Sequence, residues 1–260
     1  MIRASEPAGA RSDIATAASI GAVAYLSADI AHHAFGHGFA CLALGGDIRS
    51  LSPVFVDCTL TGAVIDLSGP AANLVVGLSA AILVTICGRR WRSLALFLIL
   101  AAAFNLYWLT LQLVFSVATN SDDWAWPLHV YGIGAPTRWV LAIAAAVGYH
   151  LVTRFAGTQL AVPDRSDARR VVLSAWLAAG AVACLTAAFA KPAISVIVQH
   201  ALPQALGLSI GLLFVPAMAA RRTRGPGLIV PRSWPWILAA IASTALTMLV
   251  LGPGLKIAIH

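Results

Sequence analysis

Three histidines, His32, His33 and His37, lie within six residues of a long apolar stretch. Ionisable side chains are expensive inside a membrane, where they usually face a cavity, a partner side chain or a metal ion. On an α-helix, His33 and His37 lie roughly 40° apart, the spacing by which a His-x-x-x-His pair holds one zinc ion. Pairing His32 with His37 instead requires a local π-bulge. We expect His33 and His37 to be metal ligands; the alternative is that the histidines hydrogen-bond to neighbouring helices.

Two further polar motifs follow the histidines along the chain. Gly69, Pro70 and Asn73 lie early in the next apolar segment, where Gly and Pro permit a close backbone approach and Asn can hydrogen-bond to a neighbouring helix. Asp122 and Asp123 follow the third apolar segment. Each motif alone is also typical of an ordinary membrane helix or a solvated loop.

The composition assigns these motifs to a membrane protein. Of 260 residues, 60% are hydrophobic and only 10% are charged, and the mean hydropathy is +0.85. Soluble domains carry about 25% charged residues, so a water-soluble enzyme is excluded. The net charge of +7 fits basic loops beside a bilayer, and no nucleic-acid partner is expected.

Hydropathy predicts an all-α protein of about seven transmembrane helices, because each span requires ~20 predominantly apolar residues. The predicted spans are 14–44, 62–87, 91–117, 138–155, 171–190, 194–219 and 234–251. We divide the chain into a cytoplasmic tail (1–13), a three-helix core (14–124) and a four-helix extension (125–260).

Arginines occupy alternate loops of this arrangement. They are Arg89, Arg90 and Arg92; Arg154, Arg165, Arg169 and Arg170; and Arg221, Arg222, Arg224 and Arg232. The positive-inside rule assigns these loops and the N-terminus to the cytoplasm. His37, Gly69 to Asn73 and Asp123 then converge near the outer face. We expect a multi-pass protein of a bacterial inner membrane.

The order of these motifs resembles the core of the site-2 protease type of intramembrane zinc metallopeptidases. The resemblance covers residues 31–124, just over a third of the chain. Its elements are a His-x-x-Gly-His segment, a Gly-Gly pair, a Gly-Pro-x-x-Asn motif and an Asp at the end of the third span, here His33 to His37, Gly45-Gly46, Gly69 to Asn73 and Asp123.

The resemblance implies one zinc ion held by His33, His37 and Asp123, or else Asp122. It also implies that Asn73 lies near the bound substrate, which would be a membrane protein. Three nitrogen and oxygen ligands leave a fourth coordination position for water.

The sequence departs from the family pattern at the catalytic base. The family has Glu directly after the first His, whereas this chain has Ala34, or His33 if His32 is the first ligand. The only Glu is Glu6. Trp124 also replaces the Gly that usually follows the ligand Asp. We therefore expect metal binding with poor or altered hydrolysis.

Three hypotheses remain open. The chain is a metalloprotein with lost or changed hydrolytic chemistry, in which His32 or Asp122 moves protons; an active protease whose Glu is replaced by Ala34; or a non-metal structural subunit or transporter. Its expected partners are the lipid bilayer and a membrane-protein substrate or partner subunit.

Two other residues are candidates on position alone. His200 is a candidate fourth ligand or proton relay because of its predicted depth in the sixth span. Cys41 follows His37 by four residues and could bind metal or pair with Cys58, but we expect it to be buried and inert.

Overall fold

Long helices pack side by side in the computed structural model of the protein, with a small sheet at one end of the bundle. The structure describes residues 11–87, 91–160, 165–190, 192–219 and 228–258. The helices of these residues are α1 Ile14–Ala43, α2 Ala63–Cys87, α3 Arg92–Thr119, α4 Ala125–Val130, α5 Ala135–Leu160, α6 Arg165–Ala187, α7 Ala193–Ala219 and α8 Trp234–Val250. The strands are β1 Ile48–Leu51, β2 Val56–Cys58 and β3 Leu255–Ile257.

Within the described residues, six helices are long and apolar enough to cross a membrane. They are α1, α2, α3, α5, α6 and α7. The helix α8 is shorter, with 17 residues, and at 1.5 Å per residue it extends about 26 Å, near the lower limit for a span. The chain is therefore a multi-pass membrane protein, and six of the seven predicted spans are confirmed.

The long helix α1 changes its winding where the histidines lie. Residues Ala31–Gly38 form a π-helix between two α-helical parts, Ile14–Ile30 and Phe39–Ala43. In a π-helix each backbone hydrogen bond joins residues five apart, so His32 and His37 share one face. The α-helical winding expected for this segment is therefore wrong, and the π-helix places His32 rather than His33 beside His37.

The helix α3 is the most deeply buried of the membrane-length helices and packs against α1, α2 and α5. It carries the buried side chains of Trp108 and Gln112 towards the histidines of α1. Small residues let the other helices approach closely, as membrane helices commonly do. For example, a Cβ atom added to Gly21 on α1 would overlap Ala175 on α6.

The segment before α1 holds together the end of the bundle at which α1 begins. Ser12 Oγ donates to Asp167 Oδ2 on α6 over 2.6 Å and accepts from the backbone N–H of Val230 over 3.2 Å. The backbone N–H of Asp13 donates to the Val230 carbonyl oxygen over 2.8 Å. Arg232 then lies 3.6 Å from the Asp13 carboxylate. The start of α1, the start of α6 and the segment before α8 therefore meet at this end.

A three-stranded antiparallel sheet lies at the opposite end of the bundle. Its strand order is β2-β1-β3, so the loop between α1 and α2 pairs with the chain after α8. The membrane bundle is all-α, as expected, and this small sheet is an addition to it that was not predicted. It forms on a loop that is apolar on one face, where Ile48 and Leu51 are buried.

A disulfide fixes this sheet to α1. Cys41, near the end of α1, is bonded to Cys58 in β2. The expectation of an inert Cys41 was wrong, because the hairpin folds back over the end of α1 and brings the two sulfur atoms together. Disulfides persist in oxidising compartments, which is consistent with an outer position for the sheet.

Candidate metal centre

Three side chains converge where the π-helical part of α1 meets α2 and the loop after α3. His32 Nε2 and His37 Nε2 lie 3.1 Å apart. Asp123 Oδ2 lies 2.8 Å from His32 Nε2 and 3.2 Å from His37 Nε2. Among the described residues, these three form the one group of His, Cys, Asp or Glu whose ligand atoms lie close enough to hold a metal ion.

His37 is held by the backbone of α2. Its Nδ1 lies 2.7 Å from the carbonyl oxygen of Ile65, so Nδ1 carries the proton and donates to that oxygen. A neutral His37 therefore has its lone pair on Nε2, which faces His32 and Asp123. The close approach depends on Gly69, where an added Cβ atom would overlap the His37 ring. Gly36 packs against the same glycine.

His32 is positioned by α3. Its ring stacks on Trp108 with a centroid distance of 4.6 Å and an interplanar angle of 23°. The side chain is buried, and its Nδ1 has no hydrogen-bond partner among the described residues. Stacking therefore fixes the plane of the ring, while Nε2 makes the polar contacts.

Asp123 reaches the histidines through a sharp turn after α3. The helix ends at Asn120 with a φ of 52°, and Asp122 has a φ of 71°; both lie in the left-handed region, which Asn and Asp tolerate better than most residues. Gln112, on the last turns of α3, donates from Nε2 to Asp123 Oδ2 over 2.9 Å. The turn reverses the chain, and Gln112 fixes the carboxylate against the two histidines.

The surroundings favour an ionised Asp123. Burial raises the pKa of its carboxyl, but the hydrogen bonds with His32 and His37 and the charge of those two rings together lower it by more, so the pKa lies below its usual value. The pKa of Asp122 is raised, because of burial first and then of the Asp123 charge. Asp123 is consequently the better metal ligand of the two.

The donor set fits a single transition-metal ion. The three ligand atoms are 2.8–3.2 Å apart, close to the roughly 3.3 Å edge of a tetrahedron with bonds of about 2.0–2.1 Å. Metal-bound histidines usually donate their other ring N–H to a carbonyl or carboxylate, as His37 does to Ile65. A bound carboxylate is likewise usually hydrogen-bonded, as Asp123 is by Gln112.

The structure does not bring His33 to this group. Its Nδ1 lies 3.2 Å from Asp29 Oδ1, one turn back on α1, and both side chains are buried. The π-helical winding turns His33 away from the face that His32 and His37 share. The predicted ligand pair of His33 and His37 is therefore replaced by His32 and His37 in the geometry.

The other predicted site residues lie at differing distances from the group. Asp122 lies beside it, and its Oδ1 accepts from Gln112 Nε2 over 3.2 Å. Asn73 is fully buried one turn beyond Gly69, and neither of its amide atoms has a hydrogen-bond partner among the described residues. His200 is exposed on α7 and is not in the group.

Two acidic residues of this region were missed in the sequence. Asp29 precedes His33 by four residues, a helical acid–His pair that the spacing could have revealed. Asp66, in the first turn of α2, interacts electrostatically with His37 and Asp123. It lines a cavity of about 490 Å³ between the β2 hairpin, the start of α2 and Trp126. Ile65, which accepts the hydrogen bond from His37, also lines this cavity.

No protein-family model, curated protein or solved structure matches the chain.

Proposed function

We propose that the chain is an integral membrane metalloprotein resembling an intramembrane zinc metallopeptidase, with lost or altered hydrolytic activity. The observation that carries the proposal is the convergence of His32, His37 and Asp123, whose ligand atoms lie within 4.8 Å of one another. Ionisable groups within membrane-length helices are usually functional, because isolated ones are costly there.

The ligand chemistry supports zinc. Two histidines and one carboxylate are a ligand set of catalytic zinc sites, although imidazole also binds iron and copper. When bound by three protein ligands, the ion supplies a Lewis acid with one open coordination position. The protein's part would be to fix Nδ1–H of His37 on the Ile65 carbonyl, so that the lone pair of the neutral ring lies on Nε2, and to hold Asp123 through Gln112.

The altered activity follows from the residue after His32. Zinc metallopeptidases carry a Glu there as general base, whereas this chain has His33, whose partner is Asp29. Glu6, the only Glu, lies outside the described residues. Two aspartates, Asp66 and Asp122, interact electrostatically with His37, and Asp122 is also held by Gln112.

We further propose that the site acts on, or binds, a segment of a membrane protein. The group lies among membrane-length helices, and the unpaired amide of Asn73 offers a donor and an acceptor nearby. Because Asn73 is fully buried, such a segment reaches it only if α2 separates from its neighbours.

The test is the metal content of the purified full-length chain, measured by elemental analysis after growth with zinc. We expect about one ion per chain, and loss of that ion in His32→Ala and in His37→Ala, because each change removes one of three ligands. Asp123→Asn should weaken binding strongly, since the amide carries no charge.

His33→Ala and His200→Ala are matched controls, because they remove imidazoles outside the group. Both should retain the ion. Loss of metal in His33→Ala, together with full metal occupancy in His32→Ala, would show that the ligand histidines are His33 and His37, the pair expected for an α-helix. A wild-type chain that takes up no metal would favour the structural subunit or transporter.

A further inference from the structure

A cavity of about 620 Å³ lies at the arginine-rich end of the bundle, between α6 and α7. The first turns of α6 and the last turns of α7 line it. Its volume is in the range of small-molecule sites, roughly 300–1,000 Å³. It lies at the opposite end of the bundle from the His32, His37 and Asp123 group, because α6 starts beside Ser12 and α1 carries its histidines towards the sheet.

Two guanidinium groups give the cavity a positive charge. Arg165 and Arg169 are four residues apart and therefore share one face of α6. Neither forms an ion pair with another described residue. Asp167, the acidic residue of the same turn, accepts hydrogen bonds from Ser12 instead. The positive N-terminus of α6, which begins at Arg165, adds to this charge.

The walls of the cavity become apolar towards the interior of the membrane. Leu173 follows Arg169 by four residues, a rise of about 6 Å along α6. Leu213 and Pro216 of α7 face it across the cavity. Leu173 is 37% exposed and Leu213 is 40% exposed, so a lipid chain can contact both. The lining of the cavity therefore changes from cationic to apolar over about 6 Å along α6. This change matches the step from the phosphate to the acyl chains of a phospholipid.

We propose that this cavity binds one anionic phospholipid of the adjacent leaflet. Its phosphate lies between Arg165 and Arg169, and the upper part of an acyl chain lies against Leu173 and Leu213. Guanidinium groups bind phosphate oxygens through paired charge-assisted hydrogen bonds, and basic pockets between membrane helices bind anionic head groups. This site is independent of the proposed metal centre.

The experiment is native mass spectrometry of the full chain in detergent with added lipid. Phosphatidylglycerol is compared with phosphatidylcholine of identical acyl chains. The wild type should prefer phosphatidylglycerol by about tenfold or more. The double variant Arg165→Gln, Arg169→Gln should bind it about 25-fold more weakly, from roughly fivefold per arginine. Arg170→Gln is the matched control, since Arg170 is exposed on the same turn but does not line the cavity.

A second variant tests the apolar wall without changing the charge. Leu213→Trp fills the space for the acyl chain and should weaken phosphatidylglycerol binding. Inorganic phosphate should compete only weakly with phosphatidylglycerol, in this variant as in the wild type. Circular dichroism and thermal midpoints establish that each variant is folded. Equal binding of both lipids, an equal loss in Arg170→Gln, or displacement of the lipid by an equal concentration of inorganic phosphate would overturn the proposal.

Discussion

Two neighbouring histidines, His32 and His33, face different partners because of one extra residue in a helical turn. In the π-helix, His32 faces His37 and Asp123, while His33 faces Asp29. An imidazole buried without a polar partner costs roughly 1–3 kcal/mol, so each ring requires such a contact. The two acidic residues supply it from different directions, one from α1 itself and one from the loop after α3.

The position of the missing base can be tested by restoring a carboxylate. If His32 is the first ligand, the residue after it is His33, so His33→Glu combined with Asp29→Asn should produce cleavage of a transmembrane peptide. Asp29→Asn avoids two adjacent carboxylates. Positioned general acid–base catalysis contributes ~10²–10⁴-fold, which is the gain expected over the wild type at equal zinc occupancy.

Ala34→Glu is the comparison for that experiment. It should gain little, because Ala34 does not follow a residue of the group. Robust cleavage by the unmodified chain would contradict the prediction of a poor protease and make Asp122 the first candidate for the base. A gain in Ala34→Glu alone would support the hypothesis that Glu is replaced at that position.

At this scale, residue types and positive-inside topology placed His37 and the Asp122–Asp123 pair near one face of the membrane, and the preference for Asp123 came from the family resemblance. They were insufficient to choose between His32 and His33, since both spacings are possible and only the winding decides. Gln112 was not predictable either. A single Gln in an apolar helix gives no sign that it will lie beside a carboxylate of the following loop.

Among the elements, the contact between α1 and α2 determines whether the group can form. Gly36 and Gly69 meet backbone to backbone, and the ring of His37 lies against Gly69. The sequence predicted a close backbone approach at Gly69 and Pro70, and the structure shows it at Gly69.

We expect Gly69→Ala to lose zinc, because its Cβ atom would occupy the space of His37 Nε2. A displaced ligand should lower the affinity at least tenfold, the lower end of the effect of altered ligand positioning. Gly62→Ala is the control, since open space surrounds that glycine. Isothermal titration of metal-free protein measures both. Unchanged affinity in Gly69→Ala would show that α2 does not constrain the site.

The disulfide between Cys41 and Cys58 should stabilise the sheet end. It closes a loop with a sequence separation of 17 residues, for which chain entropy predicts roughly 3 kcal/mol. Cys58→Ser should therefore lower the thermal midpoint of unfolding under non-reducing conditions. Reduction of the wild-type protein should lower its thermal midpoint by a similar amount. Cys184→Ser, which removes a free cysteine, should leave it nearly unchanged. Equal midpoints for all three proteins would contradict a structural disulfide.

The helices were more predictable than the connections between them. Apolar runs located the ends of the six membrane-length helices to within six residues. This is because every span must satisfy its backbone hydrogen bonds internally. The β1–β3 pairing joins residues about 200 positions apart, and no local pattern encodes such a partner. The π-helical winding and the hairpin disulfide likewise depend on contacts between elements.

For the whole molecule, the pairing of β1 with β3 constrains the number of membrane crossings. β1 follows α1, and β3 follows α8, yet the two strands lie in one sheet. The chain between them must therefore cross the membrane an even number of times. The helices α2, α3, α5, α6 and α7 supply five crossings, so we infer that α8 is the sixth, which gives seven spans including α1.

The remaining question is which end of the bundle faces the cytoplasm, and we propose that the arginine-rich end does. Single cysteines at exposed positions test this in intact cells with a membrane-impermeant maleimide. Thr61→Cys, beside the sheet, and Lys256→Cys, in β3, should both react. Arg170→Cys, at the start of α6, should react only after permeabilisation. Residue Arg90, a natural choice for the inner loop, lies outside the described residues.

The labelling background should lack Cys87 and Cys184 but keep the Cys41–Cys58 disulfide, whose sulfur atoms do not react with maleimide. This parent protein, which has no added cysteine and should stay unlabelled, is the control. Thr61 is chosen rather than Asp57 because Asp57 directly precedes Cys58, and the disulfide must be kept intact. Because β1 and β3 share a sheet, Thr61 and Lys256 must label together in either orientation. Labelling of Lys256 with Arg170 instead would mean that α8 does not cross and that the sheet does not form. Reaction of Arg170 alone in intact cells would keep the seven spans and invert the orientation.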